Sequence, residues 1–205
     1  MAAYGVTYDV APQETYDRVQ VAIRIGILIV LSILGGAMGW LGGLIYLGIP
    51  VLAAILISQR GARRYIDESE QNISLWLRYI AAFYSYMLLL TDKFPTEDPR
   101  QIVRFEPAPS GEPTPGGVLL RIILAIPHGI VLALLGIVAA LLLLIAVIAV
   151  LIQESYPRGI FDFLRGYMRW HARVAVYMAG LVQEYPPFAL DTGDETPRLP
   201  APSQG

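Results

Sequence analysis

Two long runs of hydrophobic residues dominate the polarity pattern of the chain. Ile25–Ser58 (34 residues) and Ile122–Gln153 (32 residues) contain no Asp, Glu, Lys or Arg. Uncharged apolar runs of about 18 residues or more are typical of membrane-spanning helices. We therefore predict an all-α integral membrane protein.

Each hydrophobic run is too long for one straight crossing. A helix of 34 residues is about 51 Å long, whereas the hydrocarbon core of a bilayer is about 30 Å thick. We therefore predict two hydrophobic helical hairpins of two transmembrane helices each, at about residues 18–59 and 118–153. The glycines of residues 35–43 indicate the turn of the first hairpin, and Gly136 indicates the turn of the second.

A more polar helix follows each predicted hairpin, at about residues 67–92 and 159–184. In the second helix, charged residues recur at spacings of 3, 4 and 4 and therefore form one stripe: Asp162, Arg165, Arg169 and Arg173. An arginine stripe on an aromatic-rich helix is suited to anionic headgroups, so we predict an amphipathic helix at the membrane interface. Arg78 is the only charged residue between Ile73 and Leu90, so the first helix is either interfacial or transmembrane.

Arg60, Arg63 and Arg64 follow the first run directly. This cluster is a second candidate for binding lipid headgroups or a protein partner. The simpler interpretation is that it sets the membrane topology and forms local ion pairs with acidic residues four positions later, Arg63 with Asp67 and Arg64 with Glu68.

The chain also repeats itself. With an offset of 97, residues 6–12 align with 103–109 and Arg24 aligns with Arg121; with an offset of 91, residues 86–95 align with 177–186 and Arg78 aligns with Arg169. Two repeats with an even number of crossings insert the same way up. We predict repeat 1 at residues 1–99, a Pro/Gly-rich linker with a short extended segment at 100–117, repeat 2 at 118–190 and a disordered tail at 191–205.

Short alternating segments precede both hairpins. Residues 6–10 and 102–106 alternate apolar and polar side chains and are followed by proline after one or two residues. They either pair as a small cytoplasmic sheet or lie unpaired along the membrane surface.

Composition sharpens this interpretation. Charged residues make up 16% of the chain, and the formal net charge is −2, which argues against a nucleic-acid partner. The chain has no cysteine, which excludes disulfides and thiolate metal sites. Arginines flank both uncharged runs, so we expect both termini on the cytoplasmic side of a multi-pass protein in the bacterial inner membrane.

His128 is the main candidate for chemistry within the apolar runs. An ionisable group at that depth suggests a proton relay or a ligand site. The simpler alternative is a neutral imidazole that is hydrogen-bonded to a carbonyl freed by the Pro127 kink or that reaches the interface. No metal, cofactor or catalytic motif is recognisable, so we expect a protein that is not an enzyme and needs no cofactor.

The second half resembles a family of bacterial membrane proteins known only as a domain of unknown function. The resemblance rests on Ile126-Pro127-His128, on the segment Tyr156-Pro157-Arg158-Gly159-Ile160-Phe161-Asp162-Phe163, and on Tyr185-Pro186-Pro187-Phe188. It implies a duplicated member of that family, because single-repeat relatives resemble one half. It implies no activity, substrate or site residue.

These observations favour a non-catalytic scaffold or accessory subunit. Its cytoplasmic amphipathic helices would bind the membrane interface, and a membrane-protein complex or a second copy of the chain would be its partner. Two alternatives stay open: a reticulon-like protein whose hairpins shape the membrane, and a small transporter or channel component that uses His128.

Overall fold

The computed structural model describes residues 4–33, 38–69, 73–96 and 98–192. The chain is mostly helical, with two short strands and a 3-10 turn at Pro99–Gln101. The strands are β1 (Val6–Asp9) and β2 (Arg104–Pro107). The helices are α1 (Arg18–Ile33), α2 (Met38–Arg60), α3 (Ala62–Asp67), α4 (Ile73–Met87), α5 (Pro115–Leu124), α6 (Ile126–Gln153) and α7 (Arg158–Met178).

The predicted architecture of two tandem transmembrane hairpins is wrong. The second run contains no turn at Gly136, because α6 continues unbroken for 28 residues. The helix is interrupted instead at Ala125, before Pro127, which lacks the N–H of a helix interior and is suited to the first turn of a new helix. Within the described residues, α6 alone is long and apolar enough to cross a membrane.

The predicted glycine-rich turn of the first run lies partly outside the described residues. Residues 34–37 lie outside the described residues, as does the part of the predicted tail beyond residue 192. Residues 38–43, which the prediction assigned to the turn, belong to α2. Helical geometry therefore persists through three of the glycines, because glycine permits a turn without requiring one.

The polar helices are shorter than predicted. The first helix was predicted at residues 67–92, whereas α3 ends at Asp67 and α4 covers Ile73–Met87. The second helix was predicted to reach residue 184, whereas α7 ends at Met178. A residue in the left-handed region follows the end of α4 and of α7: Leu89 (φ 61°) and Gly180 (φ 76°). Such a residue ends a helix because its backbone turns the chain away from the helix axis.

The two extended segments pair, as one of the two alternatives predicted. β1 and β2 form an antiparallel sheet in which Tyr8 is opposite Phe105 and Asp9 is opposite Arg104. Tyr8 and Phe105 are fully buried. The alternation of the segments is thus explained by one sheet face that packs on the core.

Helix α7 lies at the centre of the core. It contacts α6, α4, α2 and α5 as well as β1. Its buried residues lie on most sides of the helix, from Phe161 through Leu164 and Met168 to Val176. An interior helix of this kind positions side chains from every neighbouring element, so the site described below is built around its C-terminal half.

We predict that Gly180→Ala destabilises the protein. Residue 180 has positive φ, and an added Cβ would lie 2.8 Å from Cγ2 of Val118. The free energy of unfolding should fall by about 2 kcal/mol, which lowers the unfolding temperature of the detergent-solubilised protein by several degrees.

Gly129→Ala is the matched control, because an added Cβ there meets nothing within 4 Å and the residue lies inside α6. That variant should unfold at the wild-type temperature or slightly above it. Equal midpoints for both variants would contradict the role of Gly180.

Candidate functional site

A buried arginine of α1 binds the C-terminal end of α4. The Arg24 guanidinium donates to the backbone oxygens of Tyr86 (2.7 Å) and Thr91 (2.6 Å) and to the Asp92 carboxylate (3.1 Å). It also lies 4.2 Å from the centroid of the Tyr86 ring. The last carbonyls of a helix lack intrahelical donors and carry partial negative charge, so a cation there stabilises the helix end.

A second buried arginine, Arg121 of α5, makes the corresponding contacts at the end of α7. Its guanidinium donates to the backbone oxygens of Tyr177 and Val182 and to Gln183 Oε1, and it lies 4.5 Å from the Tyr177 ring. Arg121 follows Arg24 by 97 positions, and its three acceptor residues follow those of Arg24 by 91 positions. We call these two constellations the helix-end anchors.

Arg78 of α4 and Arg169 of α7 bind the two strands. Arg78 donates twice to the backbone oxygen of Phe105, at 3.1 and 2.9 Å. Arg169 donates to the backbone oxygen of Tyr8 (3.1 Å) and to the carboxylates of Asp9 (3.0 Å) and Asp191 (3.1 Å). We call these the strand anchors.

The predicted arginine stripe is therefore an internal surface. The spacing correctly places Arg165, Arg169 and Arg173 on one face of α7, but that face meets β1 and the segment after α7. Arg169 and Arg173 are fully buried, Arg78 is buried, and Arg165 is 13% exposed beside Asp9 and Asp162. Their guanidinium groups do not face lipid headgroups in this arrangement, because the chain itself supplies their acceptors.

Arg63 and Arg64 lie at the surface, as expected for a cluster that meets solvent or headgroups. Arg64 pairs with Glu68 at 2.6 Å, as predicted, and this hydrogen bond holds the pKa of Glu68 below its usual value. Arg63 is paired with Glu112 at 3.6 Å instead of Asp67. Both arginine side chains remain more than two-thirds exposed.

His128 is fully buried in an aromatic cluster at the start of α6. Its Nδ1 accepts a hydrogen bond from the Trp170 indole N–H at 3.0 Å, and its ring stacks on Phe188 at 4.0 Å. The partner is thus an indole and not a carbonyl freed by Pro127. The hypothesis of a proton relay or transport path through His128 stays a prediction.

Burial also perturbs the tyrosines of the core. Tyr8 Oη is 2.7 Å from Ser85 Oγ, and burial raises the pKa of Tyr8 well above its usual value. The same cause raises the pKa of Tyr65, which donates to the backbone oxygen of Ala179. Both phenols therefore stay neutral and act as hydrogen-bonding groups near neutral pH.

The described residues hold no group of three or more His, Asp or Glu side chains placed to bind a metal ion. What the site does is fix helix ends and strands through charge-assisted hydrogen bonds. Sequence reasoning did not identify Arg24, Arg121 or Tyr65 as site residues. A signal for the two arginines was present in the sequence: Arg24 aligns with Arg121, and Tyr86 aligns with Tyr177.

The described residues define a mostly helical protein with an internal arginine framework and, among these residues, one helix long and apolar enough to cross a membrane. Residues 115–189 match the model of a family described as "Domain of unknown function (DUF4389)". The match confirms the coarser part of the resemblance, the similarity of residues 115–189 to an uncharacterised family. No curated protein and no solved structure matches the chain.

We predict that Arg169→Leu destabilises the protein strongly. The substitution leaves Asp9, Asp191 and the Tyr8 carbonyl without their shared donor. Removal of one partner of a buried ion pair costs about 3–5 kcal/mol. The unfolding midpoint in detergent and the yield of folded protein measure this loss.

Arg104→Leu is the control, since Arg104 is exposed and forms its ion pair with Glu106 in its own strand. Its expected cost is below about 1 kcal/mol. A midpoint for Arg169→Leu as high as that of the control would show that the strand anchor contributes little.

Proposed function

We propose that this protein is a non-catalytic scaffold or accessory subunit of the bacterial inner membrane. In this proposal, the apolar helices lie in lipid, whereas β1, β2, α4 and α7, here called the polar module, lie at the cytoplasmic face. The observation that carries the proposal is the uncovered apolar surface of α6. The absence of catalysis stays a prediction.

Helix α6 exposes large hydrophobic side chains along its whole length. Ile130, Leu134, Ile137 and Leu141 are each about 60% exposed. The surface continues onto α1, α2 and α5 through residues such as Ile29, Val51 and Ile123. A water-soluble protein rarely exposes so large a contiguous apolar surface, whereas lipid covers it without cost.

Charge distribution supports the placement of the polar module. Buried Arg169 of the module binds the carboxylates of Asp9 and Asp191. Buried Arg24 of α1 binds the carboxylate of Asp92, which follows α4. The exposed arginines Arg63, Arg64 and Arg158 lie in the helices that follow the apolar helices α2 and α6. Basic residues beside membrane segments favour the cytoplasmic side, so we assign both termini to that side.

We predict that Leu134→Lys combined with Ile137→Lys prevents stable membrane integration. A lysine in a membrane helix costs about 2.5–3.5 kcal/mol at the bilayer centre. The wild-type chain should stay in the membrane pellet after alkaline carbonate extraction, and the double variant should be extracted or degraded. Glu112→Lys, at an exposed loop position of the polar surface, is the control and should stay in the pellet.

A wild-type chain that carbonate releases completely would contradict the membrane proposal. A double variant that stays in the pellet as completely as the control would contradict the assignment of α6 to lipid.

The headgroup hypothesis survives for Arg63 and Arg64, because these two side chains are exposed. A basic residue near an anionic membrane surface contributes about 1 kcal/mol of attraction. We expect Arg63→Gln combined with Arg64→Gln to lose bound phosphatidylglycerol at least tenfold more readily than wild type, measured by native mass spectrometry of the detergent-solubilised protein.

Arg104→Gln is the matched control, since it removes an exposed arginine on β2. Equal lipid loss from the double variant and from this control would mean that residues 63 and 64 form no headgroup site. Zwitterionic phosphatidylcholine serves as the competing lipid that should show no difference.

One observation favours the membrane-shaping alternative as a second candidate function. The two ends of α6 both contact the same polar side of the protein. At the C-terminal end, Tyr16 N–H donates to the Glu154 oxygen at 2.9 Å; at the N-terminal end, Trp170 binds His128 at 3.0 Å. A helix bound at both ends by segments outside the apolar helices is oriented for insertion into one leaflet, where it displaces headgroups as a wedge.

Two single-cysteine variants distinguish a crossing α6 from an α6 held in one leaflet. Gly116→Cys and Ser155→Cys lie at opposite ends of the α5–α6 segment, Gly116 in the first turn of α5 and Ser155 just after α6, both at exposed positions in a chain without native cysteine. A crossing α6 predicts that a membrane-impermeant thiol reagent labels only one of them in intact cells, and this result would contradict the placement of both β2 and α7 at the cytoplasmic face. Insertion in one leaflet predicts the same result for both, and labelling after lysis controls for access.

We also propose that the chain is a duplication, as its self-similarity predicts. The two helix-end anchors support this proposal, because the arginines and all three of their acceptors keep the offsets of 97 and 91. The family match over residues 115–189 corresponds to one of the two copies.

A further inference from the structure

Two buried tyrosines make equivalent hydrogen bonds across the molecule. Tyr65, from the first half of the chain, donates to the backbone oxygen of Ala179 in the second half. Tyr156, from the second half, donates to the backbone oxygen of Leu88 in the first half at 3.1 Å. Tyr156 follows Tyr65 by 91 positions, and Ala179 follows Leu88 by the same number.

The strand anchors cross in the same way. Arg78 of the first half binds the carbonyl of Phe105 in the second, and Arg169 of the second half binds the carbonyl of Tyr8 in the first. The donors differ by 91 positions and the acceptors by 97, the two offsets of the repeat. Each half therefore supplies a donor to the other and receives the equivalent donor in return.

The sheet register gives the position of a symmetry axis. Two equivalent antiparallel strands can be related by a twofold axis only if equivalent residues are opposite each other. Tyr8 and Phe105, which are equivalent at the offset of 97, are opposite each other. The flanking pairs Thr7–Glu106 and Asp9–Arg104 exchange under the same operation.

We infer that the two halves are each other's binding partner, joined about a pseudo-twofold axis at the Tyr8–Phe105 pair by an exchange of arginine and tyrosine anchors. This inference rests on the duplication put forward under the proposed function. The surface that each half offers consists of one strand and one helix end, whose carbonyls accept the donors of the other half.

The exchange is needed because the donors are buried. Arg78 and Arg169 are almost inaccessible to solvent, and Tyr65 is buried as well. A buried donor that loses its acceptor costs about 1–3 kcal/mol, and more if it is charged. Tyr65, Arg78 and Arg169 each donate to a carbonyl of the opposite half, and Arg169 also donates to Asp191 of its own half. Separation of the halves would therefore remove one acceptor from each of these buried donors.

Hydrogen exchange of the full-length protein, measured by mass spectrometry in detergent, tests the inference. Tyr65→Phe removes one hydroxyl from the first half and should speed amide exchange at residues 179–181 in the second half. Tyr156→Phe removes one hydroxyl from the second half and should speed exchange at residues 88–90 in the first. The expected increase is about fivefold in each case, as for the loss of one hydrogen bond.

Tyr185→Phe is the control variant. The Tyr185 hydroxyl donates to the Leu124 oxygen within the second half. Its effect should stay near residue 124 and leave residues 88–90 unchanged.

Faster exchange confined to the half that carries each substitution would overturn the exchange of anchors. If only one of the two substitutions, Tyr65→Phe or Tyr156→Phe, speeds amide exchange in the opposite half, the twofold relation is overturned and with it the duplication. Membrane attachment is measured separately by carbonate extraction of the same variants, so a failure of the membrane proposal is distinguishable from both results.

Discussion

Buried guanidinium groups are the constraint on which this fold depends. An arginine stays charged at any pH at which the protein is folded, and its five donors must be satisfied by nearby acceptors. Arg24 and Arg121 find them at the exposed carbonyls that end α4 and α7, and Arg78 and Arg169 find them on the strands. The positions of helix ends, sheet and connecting segments are therefore coupled. A shift of any one of these elements would leave a buried cation without its acceptors.

The framework also explains why polar and apolar residues are distributed as they are. Charged side chains such as Arg169 and Arg173 are inside, whereas Ile137 and Leu141 of α6 are on the surface. In water this arrangement would be unfavourable twice over, since it buries charge and exposes hydrocarbon. In contact with lipid only the first cost remains, and the carbonyl and carboxylate acceptors offset it. The same distribution thus gives a physical reason for both the arginine framework and the proposed membrane attachment.

The sequence predicted local geometry better than it predicted neighbours. Alternation and terminal prolines indicated the two strands, and the 3-4-4 spacing correctly placed Arg165, Arg169 and Arg173 on one helix face. Periodicity cannot tell whether such a face meets headgroups, water or a strand of the same chain, so the stripe was assigned to the interface. The hairpin in the second run failed for a related reason. The length of the run suggested a turn near Gly136, but one glycine does not break a helix. The helix is interrupted at Ala125 instead, because Pro127 is suited to the first turn of a new helix.

The two halves differ in the residue that ends the helix. At the equivalent positions after α4 and α7, Leu89 and Gly180 adopt the same left-handed conformation, although only glycine adopts it without strain. Leu89 is fully buried, so contacts of its side chain offset part of that strain. The crossing anchors, by contrast, are kept as arginine and tyrosine in both halves. The family match covers residues 115–189, a unit that contains Tyr156 and Arg169 but neither of the carbonyls that they bind. In the duplication proposed above, those acceptors come from the other copy within the same chain.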